Sequence, residues 1–403
     1  MIKKFIILFL LPAFVFANGY LISDVPLPKT YIQNLDPYPC DEACLQKYID
    51  NGYILSFLAH ATSRLKNKKQ NEIRLINISI LNLGSTIISK KVRIALLLPY
   101  KKIGRYASST TNASFSYLIA KNRLFELKSY KLNSESYRDI KHVLSKIRED
   151  NFNYVIAPLT QAGADEVVRI NPDINIYFPT INKQDANTIS PYLFYGGIDY
   201  RAQSDLLIKE ANSPLVIFYD KSTIGKKLSS YEESAFKDID KEIEKKIIKF
   251  SIPKRTTNLK RQLKNRKSIQ NGSFFINTPI IKSGMILSQL TLYDVNSTNI
   301  LSTQVNYDPL ILSMTQYTDR KKMLIANSIT EANSVLIETN LLLGNDIVYD
   351  WINYTTTVGV DYFFHLLTNE DREYTVELSD NQMLYPIEII RPSLSKFIPY
   401  RQE

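Results

Sequence analysis

The sequence predicts an α/β protein in which mostly parallel sheets carry helices on both faces. Two observations predict it. Short, almost wholly apolar segments recur from Val92 to Val305, reading VRIALLLP, LFELKSY, NYVIAPLT, INIYFPTIN, PLVIFYD, GSFFINTP and NILSTQV. Strands buried on both faces lose the alternation of a half-buried strand and read as continuous hydrophobic runs. The segments lie about 20 to 40 residues apart, which is room for one helix and two loops, the crossover that a parallel pair needs.

The chain start reads differently. Lys3 and Lys4 precede an apolar stretch over residues 5–16, and Val15-Phe16-Ala17 ends it with a small residue. These are the three parts of a secretory signal peptide, with cleavage near Ala17. Twelve helical residues reach only about 18 Å, short of a hydrocarbon core of roughly 30 Å. A soluble periplasmic protein is therefore expected. Loss of Lys3 and Lys4 lowers the formal charge from +10 to +8. The densest basic stretch is 254–267, with Lys254, Arg255, Lys260, Arg261, Lys264, Arg266 and Lys267. Such runs are ordinarily solvated faces, and nucleic acid is not an expected partner of an exported chain.

Residues 18–39 are punctuated by Pro26, Pro28, Pro37 and Pro39 and read as an extended leader. Asp41 can cap a helix that Gly52 ends, and Ile54, Phe57, Leu58, Ala61 and Leu65 recur at helical spacing over a second. In EIRLINISILNLG, Ile76, Ile78 and Ile80 fall on one face of an expected strand and Ile73 and Leu75 on the other. Cys40 and Cys44 are the only cysteines. A close pair in an exported chain is expected to be oxidised, and four residues of helix separate Cα atoms by about 6 Å, within disulfide range. Free thiols and a redox or metal role are the alternatives; a metal needs two more ligands, and His60, His142 and His365 are scattered.

From Val92 the strands alternate with helices expected over 106–122, 134–149 and 161–170, the second strongly amphipathic through Tyr137, Ile140, Val143, Leu144 and Ile147. A second series follows over 200–277, including a charged helix over 231–246. After Asn345 a helix carries Trp351, and 374–390 alternates like a hairpin.

The sequence holds no phosphate loop, nucleophile elbow, paired-histidine zinc helix or glycine-rich dinucleotide turn. Asp220, Asp294 and Asp350 each follow a tyrosine, but an acid after a strand ordinarily caps the next helix. No catalytic residue, metal or cofactor is expected.

The segments IALLLPYKKIGRYA, YVIAPLTQAGADEV, FPTIN, FFINTPIIKSGMILSQL and NILSTQV, spanning about residues 91–351, resemble the type I periplasmic-binding-protein fold. The likeness is closest to its branch of outer-membrane activators of penicillin-binding proteins. It implies two lobes joined by several chain crossings, expected near Gly197, Ser302 and Asn345, with any ligand in the cleft between them. Residues 18–90 then form a leader and N-terminal module, 91–198 with 303–345 lobe 1, and 199–302 with 346–403 lobe 2. The positions implied to face the cleft are Tyr100, Lys101, Gly104 and Arg105 after the first strand, Thr160 and Gln161 after the third, Asn182 after the fourth, and Gln304. The first loop departs from a solute receptor, because Pro99 has no N–H to offer and Tyr100 is bulky. Lys101, Lys102 and Arg105 can still attract an anion.

The string LDPYPCDEACLQKYIDNGYILSFLAHA resembles the FlgQ family of periplasmic flagellar proteins from campylobacter-type bacteria. That likeness implies motility, with flagellar disk proteins and an outer-membrane lipoprotein as partners. The function expected is a non-catalytic scaffold or assembly factor of an envelope machine, such as the flagellar disk. A solute-binding receptor and an activator of cell-wall synthases are the alternatives.

Overall fold

The computed structural model describes residues 32–36, 38–81, 83, 91–121, 123–186, 190–239 and 246–401. The expected signal peptide and most of the expected leader lie outside the described residues.

Residues 32–83 include α1 (Glu42–Asp50), α2 (Ile54–His60) and α3 (Lys68–Ile80). Asp41 caps α1, its carboxylate accepting from the Cys44 N–H at 2.8 Å. Cys40 and Cys44 are disulfide-bonded, with Cα atoms 5.4 Å apart. Leu45, Phe57, Leu58, Ala61 and Leu83 form a small core. The strand expected over Ile73–Ile80 is instead α3. Its isoleucines alternate locally, yet Gln70 and Ile73 share a helical face, and the Gln70 amide bonds the Glu42 carbonyl and the Gln46 side chain at 3.1 Å each. Among the described residues of this module there are three helices and no strand.

Two seven-stranded sheets of matching order follow. In lobe 1 the order is β11-β12-β5-β4-β3-β1-β2, built from β1 (Val92–Leu98), β2 (Phe125–Lys131), β3 (Tyr154–Ile156), β4 (Asn175–Phe178), β5 (Leu193–Tyr195), β11 (Glu377–Ser379) and β12 (Gln382–Leu384). In lobe 2 the order is β14-β13-β10-β9-β8-β6-β7, from β6 (Leu215–Asp220), β7 (Ile247–Ile252), β8 (Gly272–Asn277), β9 (Ser297–Ser302), β10 (Met323–Asn327), β13 (Glu388–Pro392) and β14 (Phe397–Pro399). In lobe 1 the strands β12, β5, β4, β3, β1 and β2 are parallel and β11 is antiparallel to β12; in lobe 2 the strands β10, β9, β8, β6 and β7 are parallel, with β13 antiparallel to β10 and β14 antiparallel to β13. The continuous apolar runs have a simple cause. Val92, Ile94, Leu96 and Leu98 of β1 enter one core while Ala95 and Leu97 enter the other. Phe274 and Ile276 of β8 are divided from Phe275 in the same way.

Lobe 1 is covered by α4 (Tyr100–Ile103), α5 (Tyr106–Ala120), α6 (Tyr137–Glu149) and α7 (Gln161–Ile170). Lobe 2 is covered by α8 (Tyr200–Ile208), α9 (Thr223–Ile239), α10 (Lys260–Leu263), α11 (Ile280–Leu292), α12 (Leu310–Met314) and α13 (Tyr317–Arg320). The charged helix starts eight residues earlier than its composition suggests, where the Ser222 hydroxyl accepts from the Gly225 N–H at 3.0 Å. Its expected end over 240–245 lies outside the described residues.

The chain crosses between sheets at 196–199, 328–333 and 385–387. The first crossing lies at Gly197, where it is expected; the other two differ. After β9, a 3-10 turn at Gln304–Asn306 folds back, and the Asn306 amide bonds Ser302 Oγ at 2.7 Å and the Ile276 carbonyl at 3.2 Å. The chain therefore stays in lobe 2 and enters β10, parallel to β9. Near Asn345, α14 (Ser334–Leu342) and α15 (Trp351–Thr368) pack in lobe 1: Asn112 on α5 bonds the Leu343 carbonyl at 3.3 Å, and Tyr117 donates to the buried Asp361 of α15 at 2.8 Å. The structure thus moves 303–328 into lobe 2 and 346–384 into lobe 1. The hairpin expected over 374–390 divides as well, β12 pairing with β5 in lobe 1 and β13 with β10 in lobe 2.

Candidate functional site

The loops at the carboxyl ends of the parallel strands are where an open α/β sheet binds ligands. After β1, residues 100–103 turn at once into α4, and Gly104, at φ +54°, closes the turn through its N–H to the Tyr100 carbonyl at 3.0 Å. Tyr100, Lys101, Lys102 and Arg105 are exposed. The Arg105 guanidinium lies 5.4 Å from the Tyr106 ring centre. Its charge also acts on Asp350, the N-cap of α15. Burial pushes the Asp350 carboxyl up, opposed by the backbone N–H groups of Asn353 and Ile352 and by Arg105.

After β3, Thr160 caps α7. Its N–H donates to Glu135 Oε1 at 2.8 Å, and its hydroxyl donates to Glu135 Oε2. A carboxylate of this chain therefore sits at a helix N-terminus, where N–H groups and the helix dipole favour an anion. Gly163, in the first turn of α7, makes room for it: a Cβ there would lie 2.8 Å from Glu135 Cδ. Gln161 is drawn sideways, its amide donating to Asp165 Oδ1 at 2.9 Å and to the Asp185 carbonyl at 2.8 Å.

After β4, Asn182 is 7% exposed, and its amide holds the first crossing by donating to the Gly197 carbonyl at 3.2 Å. Gln304 is 6% exposed in lobe 2. Its backbone N–H donates to Gln203 Oε1 at 3.0 Å, its side-chain Nε2 donates to Asn327 Oδ1 at 3.1 Å, and its side-chain Oε1 accepts from the Ser328 N–H at 2.6 Å. Of the eight cleft positions, Thr160, Gln161, Asn182 and Gln304 are thus engaged by the chain itself. The other four form the exposed turn after β1.

A direct tie spans the lobes. Lys227 on α9 meets Asp185, which follows β4, at 2.5 Å, and both side chains are about one-third exposed. Burial alone would lower the Lys227 ammonium, but the hydrogen bond and charge of Asp185, with Tyr231, leave it raised. On the Asp185 side, Gln184 also bonds Asp199, the N-cap of α8, at 3.0 Å. At the seam, the Tyr307, Tyr349 and Phe397 rings pack with centroids 4.9 to 6.0 Å apart, and Tyr307 touches the cores of both lobes.

Glu135, Asp185 and Lys227 escaped the sequence reading. Gly163, a poor helix former one turn into a helix, was the available signal for Glu135. Asp350 caps α15, its Oδ1 accepting from the Asn353 N–H at 3.0 Å, whereas Asp220 Oδ1 accepts from the Ser222 N–H at 3.2 Å in the turn before α9. Among the described residues, no three His, Cys, Asp or Glu side chains converge as a metal site, and no helix is long and apolar enough to cross a membrane.

No protein-family model and no curated protein matches the sequence. Solved structures do. A putative branched-chain amino acid ABC transporter protein from Rhodospirillum rubrum matches with a TM-score of 0.58 at 10% identity, over 77% of this chain and 100% of its own. A periplasmic ligand-binding protein of a branched-chain amino acid ABC transporter from Burkholderia xenovorans matches at 0.55 and 8%, over 77% and 95%. LpoA of Haemophilus influenzae matches at 0.52 and 10%, over 89% of this chain and 73% of its own. That last share is larger than residues 91–403 can supply, so it reaches into the N-terminal module. The chain has the two-lobed α/β fold of type I periplasmic binding proteins.

Proposed function

We propose that this chain is a non-catalytic periplasmic protein whose two lobes form a contact body for other envelope proteins, with the N-terminal helical module as its docking element. One observation carries the reading. Four of the eight strand-end positions that would meet a solute, Thr160, Gln161, Asn182 and Gln304, are engaged within the chain, led by Glu135 on the α7 N-terminus, and Lys227 and Asp185 already tie the lobes. A receptor closes its lobes around a ligand; here side chains of the protein make the corresponding contacts.

Among envelope machines, we place a cell-wall synthase first as partner. The sequence resembles the penicillin-binding-protein activator branch, and the likeness to LpoA extends past the lobes. The flagellar disk reading, with its lipoprotein partner, rests on the string around Cys40 and Cys44. Crosslinked pull-down from envelopes with the full chain and with a chain lacking residues 18–65 tests both. The reading requires that the full chain enrich a synthase or a disk protein and that the truncated chain lose it. Equal capture by the truncated chain removes the docking role.

A second reading, a solute receptor, is favoured by the exposed Lys101, Lys102 and Arg105 beside the cleft loops. Thermal unfolding with metabolite pools separates the two. A ligand at about 100 times its dissociation constant adds roughly 2.7 kcal/mol, whereas the contact reading requires no shift.

A further inference from the structure

A cavity of about 320 Å³ lies at the seam, lined by no residue of the cleft loops. Lobe 2 contributes Tyr307, Glu388, Ile390 and Phe397, the second crossing contributes Glu331, and Val348 comes from the lead-in to α15. Its walls combine aliphatic and aromatic side chains with Asn327 and Thr330, and the Tyr349 ring backs those of Tyr307 and Phe397. Glu331 and Glu388 are exposed at the rim and have no ion pair among the described residues. No lysine or arginine lines the cavity, although the chain carries a formal charge of +10. The local sign is opposite to that of the whole molecule.

Such a volume is at the low end of ligand pockets, which span about 300–1,000 Å³. It suits one long side chain. An apolar stem fits the walls, a cation is attracted to aromatic faces, and carboxylates at the mouth complete the match. We propose that this cavity receives a single arginine or lysine side chain presented by a protein partner. Both lobes and two of the crossings build the site, so its occupant bridges the lobes and holds their angle. The proposal rests on the reading of this chain as a contact protein, and it names the chemistry that the partner must present.

The test is calorimetric titration of the purified full chain at low salt with acetyl-Gly-Arg-Gly-amide and with acetyl-Gly-Ala-Gly-amide. The arginine peptide is expected to bind about tenfold more tightly than the alanine peptide, the factor that two screened charge pairs supply. Glu331→Gln with Glu388→Gln should remove that preference, and both side chains are exposed enough to change without loss of fold. Phe397→Ala should weaken arginine binding several-fold with the charges in place. Equal affinity for the two peptides, or an unchanged preference in the double glutamine variant, overturns the proposal. Failure here leaves the contact reading standing, because partner capture tests that separately. Retained peptide binding with loss of all envelope partners sinks the contact reading and leaves the cavity assignment intact.

Discussion

Replacing Glu135 by alanine empties the N-terminus of α7. Two hydrogen bonds to a carboxylate are lost, from the Thr160 N–H and hydroxyl, while the Thr160 cap on Gly163 stays. Bonds to a charged group contribute roughly 1.5–3 kcal/mol each when water is excluded. Thr160 is exposed and water replaces the carboxylate, so the two together amount to about 1 kcal/mol, and charge at a helix N-terminus adds about 0.3–1 kcal/mol. The expected loss is about 1–2 kcal/mol, a fall of roughly 3–6 °C in the melting of lobe 1. Free carboxylate should then act on the variant alone. Added acetate stabilises Glu135→Ala by mass action and leaves the wild type unmoved, because only the variant has an open anion site. Differential scanning calorimetry across an acetate series, with chloride at matched ionic strength, reads both effects. A variant that melts with the wild type, or two proteins that respond alike to acetate, refutes the assignment of Glu135 as occupant.

Gly163→Ala tests the same contact from the other side. In the Glu135→Ala background it should stabilise by about 0.5–1 kcal/mol through helix propensity, whereas beside Glu135 the new methyl displaces the carboxylate and the gain disappears; an additive urea-unfolding cycle contradicts this. Lys227→Ala should cost under about 1 kcal/mol, since the Asp185 pair is partly exposed, yet it should loosen the lobes, seen as faster hydrogen exchange at residues 183–186; unchanged exchange counts against the tie. Glu232 on α9 is fully buried with both oxygens against the Asn277 amide, and burial raises its carboxyl well above the usual range, opposed by the Asn277 hydrogen bond and the Lys249 charge. Its folded value lies above its unfolded one, so its stabilising proton is held at low pH and the contribution falls as pH rises toward the folded value. Glu232→Gln, which keeps no ionisable group, should therefore gain on the wild type between pH 5 and pH 8 in urea midpoints; parallel curves contradict the assignment. Gly359→Ala on α15 would set a methyl 2.2 Å from the buried Tyr177 ring and should cost about 1–3 kcal/mol by overpacking; a neutral result in chemical unfolding excludes that packing.

The central strands were legible because both their faces are covered. Every residue of β8 and β10 is buried. β8 stands out as GSFFIN, but β10 is five residues long between Lys322 and Ser328 and passed unnoticed, which put the second crossing too early. β7, an edge strand, alternates and mixes polar residues, so composition alone hid it. The N-terminal strand failed for the opposite reason, since alternating isoleucines fit a helix once α1 and α2 supply its partner face. Cleft chemistry was less legible than fold. Glu135 meets Thr160 across 25 residues, Lys227 meets Asp185 across 42, and Gln304 meets Gln203 across 101. A carboxylate that fills a helix N-terminus from another loop leaves no local pattern. The cap at Asp41 and the cysteine pair were readable because each lies within one turn of helix.

The claim that the lobes are held together by the chain's own groups is open to direct measurement. Spin labels at Ser145 on α6 and Ser268 in lobe 2 report the distance between lobes by pulsed electron resonance. The account predicts one narrow distribution for the wild type, unchanged by metabolite pools and broadened by Lys227→Ala, which removes the Asp185 tie. A wild-type distribution that shortens when a small solute is added would contradict it.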